Sequence, residues 1–151
     1  MNSRRAFLTA ASVTLVAGCA GAPAPAVVNL TVTAGRDLNQ DAAGTPRSVA
    51  VRIYGLASQG RFSSADAFAL MDRDKAVLAD EGSLAEAIVM RPGETRNLTL
   101  MPKPGVRYVG AVVLFQDIDR ARWRAVAPIA SEGLTRLALV VGSNSAQLEA
   151  A

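Results

Sequence analysis

The sequence predicts a mainly β protein, a two-sheet antiparallel β-sandwich with one short helical insertion. Three observations carry that reading. Apolar residues recur with period two in several short segments, the pattern of a strand with one buried face. Clusters of Gly, Pro, Asn and Asp separate those segments at short intervals. Helical spacing is clear in one short stretch, too little to form a layer of its own.

The elements follow in order. Val28, Leu30, Val32 and Ala34 alternate with Asn29, Thr31 and Thr33, a half-buried first strand. Residues 35–46 are a polar loop containing Asp37, Asn39, Asp41, Gly44 and Pro46. Val49, Val51 and Ile53 then point one way while Arg52 and Tyr54 point the other. Ser63 reads as an N-cap with Asp66 three residues on, and Ala65, Phe68 and Ala69 form a short apolar helical face. Residues 84–90 read two ways. Ser83 with Glu86 imitates a capping box, yet the segment runs into Arg91-Pro92-Gly93-Glu94, a turn that more often joins strands.

Leu98 and Leu100 alternate with Asn97 and Thr99, and residues 102–105 make another turn. Residues 108–115 are a continuous apolar run with β-branched members, consistent with a central strand buried on both faces. Segments 123–129 and 135–141 complete six or seven strands, the last with Leu137, Leu139 and Val141 on one face. Residues 28–142 are therefore expected to form the sandwich, and 143–151 a C-terminal tail.

The N-terminus is a different kind of sequence. Residues 1–5 are short and positive, and residues 6–18 carry no charge. That run is shorter than the ~20 apolar residues a membrane span needs. It suits the apolar region of a signal peptide covering residues 1–18. The run ends in Val16-Ala17-Gly18-Cys19, which resembles the lipobox of bacterial lipoproteins and implies a covalent lipid on Cys19. Each buried CH₂ contributes about 0.8 kcal/mol, and a second acyl chain turns marginal binding into stable anchoring. Ala20 stands where an Asp would mark retention in the inner membrane, so the resemblance implies the outer membrane, facing the periplasm.

Ser3-Arg4-Arg5-Ala6-Phe7-Leu8 is similar to the twin-arginine export motif, with Thr9 where a Lys is common. An ordinary secretory leader that contains Arg4 and Arg5 is the alternative, and both routes reach the same compartment. Residues 19–27 form a Pro/Ala-rich tether in which Pro23 and Pro25 favour extended backbone.

Composition narrows the function. Of the net charge of +3, Arg4 and Arg5 supply two units, so the rest of the chain is near neutral and offers no phosphate-tracking stripe. The chain has no histidine, which excludes imidazole zinc sites and His-based triads. A single cysteine excludes an intrachain disulfide. No cofactor is expected beyond the lipid on Cys19, and no catalytic constellation is recognisable. Asp72 with Asp74, and Asp80 with Glu81, are near in sequence, the one opening for a carboxylate hydrolase, but proximity along the chain does not set a shared cleft. A periplasmic lipoprotein that binds a lipid or another small ligand is one reading that remains open, although seven aromatics provide little stacking material.

Several residues in order carry a family resemblance. Asn39-Gln40-Asp41-Ala42-Ala43-Gly44-Thr45-Pro46 leads into Val51-Arg52-Ile53-Tyr54-Gly55-Leu56. Phe62, Ala65-Asp66 and Leu70 follow, then Arg91-Pro92-Gly93-Glu94, Tyr108-Val109-Gly110, Phe115-Gln116-Asp117 and Trp123-Arg124. The series resembles the outer-membrane lipoprotein of the bacterial type VI secretion system, its J component. The resemblance implies a transthyretin-like sandwich that binds the periplasmic domain of the inner-membrane M component. It implies a contact through residues 35–46, with Leu38, Asn39, Gln40, Asp41, Gly44, Thr45 and Pro46 as candidates and Leu38 at their centre. Gln40 stands where the family often has Pro, which makes a softer loop with more entropy to lose on binding. The charged loop of Asp117, Asp119, Arg120 and Arg122 is expected to be solvated, and Trp123 to be a packing residue.

Overall fold

The computed structural model describes residue 18 and residues 21–151; Arg4, Arg5 and Cys19 lie outside the described residues. Period-two alternation sets the first strand, β1 (Ala26–Ala34), and places Val28, Leu30, Val32 and Ala34 inside. The other strands are β2 (Val49–Leu56), β3 (Gly82–Met90), β4 (Thr95–Leu100), β5 (Tyr108–Val113), β6 (Arg124–Pro128), β7 (Gly133–Val141) and β8 (Ala146–Ala150). They form two four-stranded sheets, ordered β4-β1-β7-β8 and β3-β2-β5-β6. Every pairing is antiparallel except β1 with β7, whose chains run the same way. The mainly β sandwich is thus as expected.

Between the sheets lies the main core, where Val28, Leu30, Val32, Val51, Ile53, Leu137 and Leu139 meet. The register of β2 is as expected, with Val49, Val51 and Ile53 inward and Arg52 on the opposite face. That opposite face is not solvated. A helical insertion, α1 (Gly60–Ser64) and α2 (Ala67–Leu78), covers it and makes a second core of Tyr54, Leu56, Phe62, Leu70, Leu78 and Val112. The Tyr54 hydroxyl donates to the Leu70 carbonyl at 2.9 Å, and its ring lies 5.7 Å from that of Phe62. Gly110 permits this approach, since a Cβ there would come within 2.8 Å of Phe62 Cζ. Arg52 reaches Asp74 at 3.3 Å and donates to the Met71 carbonyl, tying β2 to α2.

Several expectations are corrected and one open reading, that of residues 84–90, is resolved. Ser63 lies inside α1 and is not the cap; Asp66 caps α2 by accepting from the Ala69 N–H at 2.8 Å. The extended residue Ala65 breaks the stretch into two helices, so a single helical face drawn across it misplaces Phe68, which is 59% exposed. Residues 84–90 belong to a strand, mostly exposed because β3 is a sheet edge. The C-terminal tail contains β8, which pairs with β7 from Val141↔Ala146 to Leu137↔Ala150, and the sandwich begins at Ala26 rather than at residue 28. Only Ala146 and Leu148 turn inward from β8, too short an alternation to stand out. Finally, Leu38 is fully buried in the main core and cannot be a partner contact.

Candidate functional site

The connection from β1 to β2 crosses from one sheet to the other, so residues 35–48 are no hairpin and their length is used in the crossing. Leu38 anchors the crossing from below. Beside it Asn39 adopts φ 46°, a left-handed conformation that Asn tolerates better than most residues, and it is 3% exposed. Its side chain is a clip. Nδ2 donates to the Ser48 carbonyl at 2.9 Å, and Oδ1 accepts the Gln116 N–H at 2.9 Å. Its backbone N–H donates to the Gly142 carbonyl at 3.2 Å. One buried residue therefore joins three connections: β1–β2, β5–β6 and β7–β8.

The tip of the loop is organised separately. Asp41 Oδ1 accepts the N–H groups of Ala43 and Thr45 at 3.0 and 2.9 Å, while Oδ2 accepts from Arg47 Nε and Nη2 at 3.1 and 2.9 Å. The hydrogen bond from Thr45, then that from Arg47, holds the Asp41 carboxyl below its ordinary value. Gly44 closes the turn at φ 78°. Gln40, Thr45 and Pro46 are exposed with Ala42 and Ala43, and Asp41 is half-buried.

A polar cleft of about 190 Å³ opens beside the clip, lined by Asn39, Gln40, Asp41, Phe115, Asp117, Ser143 and Asn144. The β5–β6 connection thus belongs to the same surface as the candidate loop. Asp117, Asp119, Arg120 and Arg122 are exposed as expected, and the Asp117–Arg120 approach of 3.9 Å between exposed groups contributes little. Gln116 stands in the sequence only as part of the resemblance series, and Ser143 and Asn144 carry no signal there, because their place here depends on which strand ends the topology brings together. Trp123 is half-buried against both cores, with the Arg124 guanidinium 4.4 Å from its ring centre. Arg124 in turn donates to the carbonyls of Phe62 and Ala65 at 2.8 and 2.6 Å, and burial lowers its pKa.

The tether stands at the other end. Ala26 begins β1 and the candidate loop follows Ala34, so the two are separated by the strand, roughly 26 Å at 3.3 Å per residue. The neighbouring carboxylates of the sequence do not converge on a cleft. Asp74 is engaged by Arg52, and Glu81 by Arg61 at 3.5 Å and by the Arg61 N–H at 2.8 Å. Among the described residues there is no cluster of His, Cys, Asp or Glu able to hold a metal, and no helix long and apolar enough to cross a membrane.

Fold and site together define a β-sandwich module that presents a polar surface built from three connections at one end. Residues 26–147 match the family model described as "Type VI secretion lipoprotein, VasD, EvfM, TssJ, VC_A0113", and the chain belongs to that family. Among solved structures it is similar to the type VI lipoprotein TssJ1 from Pseudomonas aeruginosa, with 30% identity over 84% of this chain and 97% of that one, TM-score 0.78. Lip of Serratia marcescens, described as a membrane-bound component of the type VI secretion system, shares the fold at TM-score 0.73, with 24% identity over 82% of this chain and 96% of that one. A chain in a structure described as the TssM C-terminal domain (869–1107) from EAEC matches with 25% identity over 83% of this chain and 98% of that one, TM-score 0.67. No curated protein matches the chain.

Proposed function

We propose that this chain is a non-enzymatic scaffold of the type VI envelope complex. A lipid on Cys19 anchors it to the outer membrane, and it binds the periplasmic domain of the inner-membrane M component, TssM. The observation that carries the reading is polarity: the tether enters at one end of the sandwich, and the clipped polar surface lies at the other. An adaptor between two membranes needs that arrangement, because the contact surface must face away from the anchor. Further support comes from the structure described as the TssM C-terminal domain, which contains a chain of this fold. That chain is 98% covered by 83% of these 151 residues, and so is shorter than the span 869–1107.

Calorimetry against the purified periplasmic domain of TssM tests the contact. Ala42→Glu combined with Gln116→Glu alters two exposed positions on two different connections. It should weaken binding at least tenfold, about 1.4 kcal/mol, while Asp72→Asn on α2 leaves affinity unchanged. Unaltered affinity in a folded double variant moves the interface elsewhere. Palmitate labelling tests the anchor, since label retained by Cys19→Ser would remove Cys19 from the account.

A further inference from the structure

We infer that the tether end of the sandwich is itself a membrane-contacting surface, so that the domain lies against the lipid headgroups and does not swing free on its anchor. The inference rests on the anchoring of Cys19 proposed above.

The tether is not free along its length. Residues 23–26 form one wall of a cleft whose other walls include Pro102, Lys103, Pro104, Arg107 and Glu132, and the Gly133 N–H donates to the Ala24 carbonyl at 3.3 Å. Only residues 19–22 remain to span the gap. At about 3.1 Å per extended residue they reach roughly 12 Å. That is the greatest distance the tether allows, about one and a half times the ~8 Å screening length at physiological salt, so charges at this end feel the lipid surface whenever the tether is less than fully extended.

What this end offers is amphipathic. Val27 lies beside Leu134 in the β1–β7 pairing, and Met101 follows Leu100, the partner of Val28, which brings it alongside Val27. Val28 is buried inside, so this row of three faces outward, with Met101 75% and Leu134 46% exposed. Two of the six large apolar residues that are exposed among the described ones thus fall in one row beside the tether. Basic groups flank it: Lys103 and Arg107 are exposed beside the acid Glu132, and Arg136 is exposed with Glu149 on the neighbouring strand. Across the same end, toward the helical insertion, Asp80 and the Arg61–Glu81 pair reverse the balance. The asymmetry selects an orientation in which the β4-β1-β7 edge meets an anionic lipid surface, with Met101, Val27 and Leu134 dipping among headgroups and Lys103 and Arg107 against phosphates.

The test uses the full lipidated chain in vesicles of phosphatidylethanolamine and phosphatidylglycerol. Once Cys19 carries lipid, a thiol introduced by Met101→Cys, Leu134→Cys or Ala43→Cys is the one available to a fluorophore. Spin-labelled lipid should quench the probes at 101 and 134 at least twofold more than the probe at 43. Lys103→Glu with Arg107→Glu should remove most of that difference. Equal quenching at the three positions overturns the inference. So does protection of 101 and 134 by the periplasmic domain of TssM in detergent without any quenching in vesicles, which would assign the row to a protein. Mass spectrometry separates the premises: Cys19 without lipid overturns the anchor, whereas lipidated Cys19 with equal quenching overturns this surface alone.

Discussion

Within residues 35–48 two adjoining stretches are built on opposite terms. Leu38 and Asn39 are as buried as the strand residues around them, whereas residues 42–48 are all exposed. The root is held from outside itself, by the core beneath Leu38 and by the Ser48, Gln116 and Gly142 partners of Asn39. The tip is held by its own Asp41, through neighbours no more than six residues away. The difference teaches that a long connection can be rigid where it joins the fold and still present an adaptable end. A stiff root aims the tip, and a surface aimed before binding loses less entropy when it docks.

The largest expected effect is therefore at the root. Leu38→Ala removes a fully buried side chain from the main core and should destabilise the domain by about 2–5 kcal/mol in denaturant melts. A loss below about 0.5 kcal/mol would mean that Leu38 turns outward, and the contrast between root and tip would fail. Asn39→Ala comes next. It leaves the Gln116 N–H and the Ser48 carbonyl without a partner and puts alanine at positive φ, and should cost about 1–3 kcal/mol. Amide exchange sharpens this test: protection of Gln116 should fall in Asn39→Ala while that of Thr45 is retained.

The same contrast explains what the sequence could reveal. Val51 and Ile53 are legible because a strand repeats its burial every second residue, and a slip of one would place Arg52 inside. Leu38 has no period to announce it: a lone apolar residue in a polar segment reads equally as a core anchor or a partner contact. Asn39 and Asp41 are both ordinary turn residues by composition, yet one is buried between connections and the other ties a local turn. Only the order of strands in the sheets tells them apart. Tyr54 lies on the face opposite Ile53, as the alternation predicts. The cover that buries it comes from Phe62, Leu70 and Leu78, which are distributed across a break between two helices. The ordered series of family residues succeeded where periodicity could not, since it depends on chain order and not on spacing.

At the tip the effects shrink. Gly44→Ala meets no atom within 4 Å and is strained only by φ 78°, so about 1 kcal/mol is expected. That cost should appear as a small shift in melts with the Asn39 contacts intact. A loss as large as that of Leu38→Ala would show that root and tip unfold together.

The smallest expected effect concerns the Asp41 carboxyl and depends on pH. Its pKa lies below the ordinary 3.8, chiefly through the Thr45 N–H and then through Arg47. The folded protein therefore releases this proton at a lower pH than the unfolded chain does, and stability rises with pH across that window. The contribution is complete above 3.8 and is lost as pH falls through the lower folded value. Protonation weakens the charge-assisted bonds from Thr45 and Arg47 without touching Asn39, whose amide does not titrate. Amide shifts of Ala43 and Thr45 should accordingly move together below pH 3.8 while that of Gln116 stays fixed, and Asp41→Asn should abolish the movement. A Gln116 shift that tracks Thr45 would join the tip to the root in one cooperative unit, and the loop would then present its surface to a partner as a rigid whole.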